Sequence, residues 1–225
     1  MKRVVLIALG ILLALVLASP VAFARVEQDT QASAGTSQLA AEWWQWAVSK
    51  PVDENPLLGG DPTYSEEQCD GQPLSSASDE VWFLAGTLDG SQVERTCTAP
   101  TGKQLFFPVA NYVFFITEPG ETEEIARQAV NDYIDGLVAD PRFKMRVTVD
   151  GRKVKSSQII RADSPLFTAT VPEGGLLPAG SYDGVTDGLW VTLPSLPEGE
   201  HTIRFTMSAP NAGFSQDNTY YLTVE

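Results

Sequence analysis

Histidine and cysteine are nearly absent from this sequence: one His and two Cys among 225 residues. Two thiols and a single imidazole make a poor tetrahedral zinc site, so a structural zinc centre is not expected. The lone His201 has no G-x-S-x-G elbow to serve. Its neighbours Thr202 and Arg204 belong to the opposite face of a strand. It reads as a strand histidine beside a turn, not as the base of a nucleophilic triad. Cations are scarce as well. Lys and Arg number 15 against 29 Asp and Glu, giving a net charge of −14. A chain of that sign repels phosphate backbones, which argues against a nucleic-acid partner. Internal repeats and low-complexity tracts are lacking, and only one apolar run is long.

That run lies at the start. Lys2 and Arg3 precede an apolar stretch from Val4 to Ala18, and Ala22-Phe23-Ala24 supplies small residues at the −3 and −1 positions of a cleavage site. The expectation is a signal peptide over 1–24, cut after Ala24. The run is about 15 residues, short of the roughly 20 that span a bilayer. Cleavage removes two cations and no acid, and leaves no candidate membrane span. The two cysteines, Cys69 and Cys97, then read as one disulfide in an oxidising compartment. Closing a loop of that length is worth about 3 kcal/mol if unstrained.

Beyond the cut, residues 25–38 are polar and small and read as a disordered leader. A single β-rich domain is expected over 39–225. Its first element is a helix from about Leu39 to Lys50, stopped by Pro51. Leu39, Ala40, Trp43, Trp46 and Ala47 share one face; Trp44, Val48 and Ala41 continue it, and only Glu42, Gln45 and Ser49 form a polar strip. The apolar arc is about 220°, against roughly 100° for an ordinary surface helix. Such a helix is either deeply buried or touches something on a second side. Pro51–Ser78 carries Asn55-Pro56, Gly59-Gly60, Asp61-Pro62 and Asp70-Gly71 and no sustained period, so it reads as a long loop.

Strands follow. Glu80–Thr87 and Gln92–Thr98 flank Leu88-Asp89-Gly90-Ser91, which predicts a hairpin. Gln104–Ile116 is almost continuously apolar, as for a strand buried on both faces, with a break or bulge at Pro108. Thr122–Val138 has the period of a second helix. Lys144–Lys155 reads as a hairpin about Asp150-Gly151. Short strands are expected near 158–161, 166–171, 189–193, 201–207 and 219–224. The fold class this predicts is mainly β, a β-sandwich or jelly-roll-like domain with two packed α-helices.

Three chemistries compete for the functional role. Tryptophans 43, 44, 46, 82 and 190 offer aromatic faces that stack on sugar rings, but core packing accounts for such residues equally well. Trp44, beside Val48, is the one whose direction leaves it open to a glycan or an envelope protein, with Glu42 and Asp53 nearby as candidate ligand contacts. Carboxylate pairs from Glu42, Asp53 and Glu54 would make a glycan hydrolase, the alternative reading. Calcium is a candidate cofactor at Asp183 and Asp187 in SYDGVTDG or along Asp53 to Asp61, although neither stretch matches an EF-hand loop and Asp-Gly serves turns as well. The expected function is an exported, non-catalytic binding or structural protein, secreted or periplasmic.

The blocks EWWQWAVSKPVDENPLL, VWFLAGT, RTCTAPTGKQLFFPVANY, SPLFTATVP, DGLWVTLPSLPEGEHTIRF and GFSQDNTYYLTVE span about residues 40 to 225. Together they resemble a family of uncharacterised exported bacterial proteins. The resemblance implies export and a sandwich-like domain. It implies no activity, and no catalytic residue carries over from it.

Overall fold

The computed structural model describes residues 20–58 and 80–225, with side chains from Ala34 onward. The chain divides into two compact units, Met1–Ala32 and Ser33–Glu225. The signal segment up to residue 19, Cys69, Asp61 and most of the Pro51–Ser78 stretch lie outside the described residues.

Helix α1 runs Pro20–Val48. The sequence places its start near Leu39 and a disordered leader before it, whereas Arg25–Ser37 is helical in the structure. The stretch after Pro20 holds no proline and is rich in Ala and Gln, so its backbone propensity favours helix even though its polarity suggests a leader. Among the described residues no helix is long and apolar enough to cross a membrane.

The rest is mainly β: strands β1 (Val81–Phe83), β2 (Gln92–Ala99), β3 (Gln104–Phe115), then helix α2 (Glu123–Ala139), then β4 (Lys144–Val149), β5 (Arg152–Lys153), β6 (Ile159–Asp163), β7 (Phe167–Val171), β8 (Gly180–Leu193), β9 (Gly199–Ala209) and β10 (Phe214–Val224). They form two five-stranded sheets. Sheet A is ordered β1-β3-β8-β6, with β7 also pairing β8; sheet B is ordered β2-β10-β9-β4-β5.

Three layers result. One face of sheet A meets sheet B in a core where Phe107 packs at 4.7 Å against Phe205, tilted to it, and Phe205 lies over Tyr220. Helix α2 extends that layer with Ala126, Val130, Ile134 and Leu137, and the Thr122 side chain caps its start by accepting from Ile125 N. The other face of sheet A carries Phe106 and Trp190, stacked at 5.3 Å, against Trp43 and Trp46 of α1. Sheet A is therefore covered on both sides, which is why β3 reads as a continuous apolar run. Its register shifts between Pro108 and Ala110, the expected bulge.

Two expectations need correction. Val81–Phe83 and Gln92–Ala99 are not a hairpin: β1 pairs parallel with β3 in sheet A, and β2 pairs parallel with β10 in sheet B. The turn between them is real, since Asp89 accepts hydrogen bonds from Ser91 N and Oγ. The flanking segment 84–87 crosses from one sheet to the other and is held by buried polar groups. Tyr220 Oη accepts from Ala85 N, and Arg95, 1% exposed, donates to Ala85 O, Tyr220 Oη and Pro56 O. The second correction concerns SYDGVTDG, read above as turn-like: it lies inside β8, which begins at Gly180. Its glycines mark close approaches instead. A Cβ on Gly184 would lie 2.9 Å from the Phe115 ring, and one on Gly188 would lie 2.8 Å from Ala110 O.

Candidate functional site

The wide apolar arc of α1 is answered by burial. Trp43 Nε1 donates to Leu84 O at 2.9 Å, Trp44 Nε1 to Thr186 Oγ1 at 3.1 Å, and Gln45 Nε2 to Thr168 O at 2.9 Å. The turn after the helix folds back over its end. Asn55 Nδ2 donates to Ala47 O while Asn55 Oδ1 accepts from Leu57 N, which occupies a C-terminal carbonyl of the helix. Trp44 is 4% exposed, edge-on to Trp43 and Phe115. The second, exposed side expected for it does not exist. What encloses the ring is sheet A, through Thr186 and Phe115.

Trp44 nevertheless borders a cavity of about 250 Å³. The cavity forms because β1 pairs with β3 only as far as Phe106. Past that point the chain leaves for sheet B, and no described strand covers that edge of β3. Trp43 and Trp44 line one side and Leu57, Thr87 and Leu88 the rim. Pro108, Asn111 and Tyr112 of β3 also line it, with Tyr133 and Leu137 of α2 and Met207, Phe214 and Gln216 of sheet B. Tyr112 and Tyr133 stack on each other at 4.5 Å and keep 39% and 36% exposure. Burial, with the neighbouring Tyr112 adding to it, raises the Tyr133 hydroxyl pKa, so it stays neutral at ordinary pH.

Besides the hydroxyls of Thr87, Tyr112 and Tyr133, two side-chain amides line the cavity. Gln216 Nε2 donates to Val109 O at 2.7 Å and Gln216 Oε1 accepts from Asn218 Nδ2 at 3.0 Å, which fixes that side chain against Gly86. Asn111 Nδ2 is buried and has no hydrogen-bond partner among the described residues. A buried donor left unpaired costs roughly 1–3 kcal/mol. No Asp, Glu, Lys or Arg is among the described residues lining this cavity.

The other candidates lie elsewhere. Glu42 is 8% exposed and accepts from Gln38 Nε2 at 3.0 Å. Asp53 and Glu54 are exposed on the turn after α1. None of the three borders the cavity. Asp187, 2% exposed, is gripped by Arg161 Nε and Nη2 at 3.0 and 2.6 Å, and Arg161 also reaches Asp135 of α2. Those carboxylates hold the guanidinium pKa above its ordinary value. Asp183 accepts from Thr168 Oγ1 at 2.6 Å. Asp183 and Asp187 thus each have a protein partner, and among the described residues no group of three His, Cys, Asp or Glu side chains is placed to hold a metal ion. Cys97 is buried in β2 and is not a free thiol. His201 Nδ1 lies 2.8 Å from Asp150 Oδ2 and Nε2 2.9 Å from Pro197 O, a structural tie between β9 and the β4–β5 turn.

Sequence reasoning reached Trp44 and missed Asn111, Tyr112, Tyr133, Gln216 and the buried Arg95. The available signals were an Asn inside the apolar run PVANYVFF and the alternation Val93, Arg95, Cys97, which turns an arginine inward.

No family model matches the chain, and no curated protein matches it. Among solved structures it is similar to one described as "Structure of PbICP-C in complex with falcipain-2", with 10% identity over 64% of this chain and 98% of that chain and a TM-score of 0.27. A likeness at that score carries no argument about function.

Proposed function

We propose that the protein is an exported, non-catalytic binding module, secreted or periplasmic, whose aromatic cavity takes one neutral sugar ring of a glycan. The observation that carries this reading is a cavity lined by Trp43, Trp44, Tyr112 and Tyr133 with a few neutral polar groups, Thr87, Asn111 and Gln216, and no charged side chain among its described lining residues. Ligand sites are typically apolar with a few convergent polar groups. At about 250 Å³ the cavity lies just below the ~300 Å³ lower end of ordinary small-molecule sites, which suits a single ring. Tyr112 and Tyr133, half-exposed and both lining the cavity, supply π-faces for sugar C–H groups.

The competing reading, a carboxylate-dependent glycan hydrolase, requires two carboxyl groups about 5 to 10 Å apart across the scissile bond. The carboxylates nearest in sequence to the cavity tryptophans do not border it. An envelope protein inserting one apolar side chain is the other occupant the test separates. The test is a titration of the protein with neutral mono- and oligosaccharides, read by tryptophan fluorescence. Saturable binding lost in Tyr133→Ala supports the glycan reading. No binding to any neutral sugar, or release of reducing ends, refutes it.

Export and the cross-link belong to the same proposal. The exported product begins at Arg25, and Cys97 is joined to Cys69. Intact mass of the exported protein and a non-reduced peptide map check both. A mass retaining the first 24 residues, or alkylation of both thiols in native protein, overturns them.

A further inference from the structure

The cations of this acidic chain are unevenly placed. Arg127, Arg142, Arg161 and Arg204 each pair with a carboxylate, and Arg95 is spent on buried oxygen acceptors. Lys144, Arg146, Arg152, Lys153 and Lys155 sit together on the β4–β5 hairpin and just beyond it. Among the described residues none of these five is in an ion pair. The hairpin's one acid, Asp150, is engaged by His201 Nδ1 and Thr202 N, and its charge also acts on Arg152.

Three of these cations surround a cavity of about 510 Å³. Arg152, Lys153 and Lys155 line it, outnumbering the one lining acid, Asp150, together with an apolar floor that includes Val154, Leu193 and Leu196. Cations on an edge strand often serve to repel other strands, and β5 is an edge. Edge protection does not require a cavity, and it does not require an apolar floor beneath the charges. Like charges gathered at close range repel one another, and an anion seated among them relieves that repulsion. A guanidinium beside two ammonium groups suits the several oxygens of a carboxylate or phosphate, and the floor suits hydrocarbon.

We propose that this cavity binds an amphiphilic anion, a carboxylate or phosphate group carried on an apolar body. The cationic rim takes the head and the Val154, Leu193 and Leu196 floor takes the first carbons of the tail. The site is separate from the aromatic cavity and does not rest on the glycan reading. The same chemistry is presented by a free alkyl anion and by the headgroup region of an anionic lipid, and the test separates these sources.

The experiment is calorimetric titration of the full chain with octyl phosphate below its micellar concentration. Inorganic phosphate and octyl glucoside serve as the head-only and tail-only controls. Binding to octyl phosphate is expected to exceed binding to either control by about tenfold or more, and to weaken as salt is raised. The double variant Lys153→Gln, Lys155→Gln is expected to lose about tenfold in affinity while its melting temperature is unchanged, because both side chains are exposed. A second variant, Leu196→Asn, tests the floor and is expected to weaken octyl phosphate but not inorganic phosphate. A final arm uses phosphatidylglycerol vesicles. Binding to both monomer and vesicle supports the site and assigns the lipid as its source; binding to monomer alone supports the site with a free anion. Vesicle binding without monomer binding overturns the proposal, as do equal affinity for octyl phosphate and octyl glucoside and wild-type affinity in the double lysine variant.

Discussion

Replacing Trp44 by alanine separates a packed ring from a displayed one. The ring is 4% exposed, its Nε1 donates to Thr186 Oγ1, and it contacts Trp43 and Phe115 edge-on at centroid distances of 5.1 and 6.1 Å. Truncating a buried tryptophan costs about 3–5 kcal/mol through lost transfer energy and the void left behind. The hydrogen bond adds only about 0.5–1.5 kcal/mol, and Thr186 Oγ1 keeps its bond to Tyr112 O. Two features of the site moderate the loss. The void merges with the adjoining 250 Å³ cavity, so water can enter it, and part of the ring already borders that space. The expected destabilisation is therefore near the lower end, about 3 kcal/mol, or a melting temperature lower by roughly 10 °C in a domain of this size. Trp44→Phe keeps most of the packing and loses the donor, and is expected to cost about half as much. Urea unfolding at constant m-value measures both. A cost below about 1 kcal/mol for the alanine variant would refute the enclosed ring and reinstate a displayed Trp44.

Other consequences follow from the same geometry. Arg95→Met leaves Pro56 O without its donor, and Ala85 O and Tyr220 Oη without their charged one, and is expected to cost roughly 2–4 kcal/mol by urea midpoint; Arg95→Lys should not restore it, because one ammonium nitrogen cannot stand in for the two guanidinium nitrogens that reach these oxygens. Gly188→Ala forces a Cβ to 2.7 Å from Asn111 Cβ and 2.8 Å from Ala110 O, which should cost about 1–3 kcal/mol and disturb the Asn111 amide; a neutral outcome in thermal melts would contradict the close β3–β8 approach. His201 has its pKa raised, first by its hydrogen bond to Asp150, and Asp150 has its own lowered, first by His201. The histidine's contribution is complete below its unfolded pKa of about 6.5 and is lost as pH rises through the folded value, while that of Asp150 is present above about 3.9 and is lost as pH falls through its depressed value. The tie is thus fullest between about pH 4 and 6.5, and His201→Gln should remove that pH dependence, as read by NMR titration and melts across the range, without abolishing ligand binding.

Much of the fold is legible because local chemistry and tertiary role agree. The 3.6-residue period of Ala126, Val130, Ile134 and Leu137 and the Thr122 cap define α2 within a residue of its expected bounds. Asp150 and Gly151 both adopt positive φ, as the two-residue hairpin between β4 and β5 requires. Legibility fails where a local signal is true but does not decide the partner. Leu88-Asp89-Gly90-Ser91 is a turn, yet whether its flanking strands pair depends on Arg95 and Tyr220 drawing segment 84–87 across to sheet B. Gly184 and Gly188 announce a turn by composition and serve a ring and a neighbouring strand instead. The cavity was half visible for the same reason. Trp44 stands out by its direction on α1, but the residues that complete the site come from β3, α2 and β10, and only the packing of those elements brings them to one place.

The most direct test of the central claim is to follow binding and turnover of one neutral oligosaccharide in the same sample, comparing the wild-type protein with Tyr133→Ala and Glu42→Gln. The account predicts saturable binding, an affinity loss of about tenfold or more in Tyr133→Ala, little change in Glu42→Gln, and no new reducing ends. Accumulation of reducing ends that stops in Glu42→Gln, or binding that survives Tyr133→Ala intact, would contradict it.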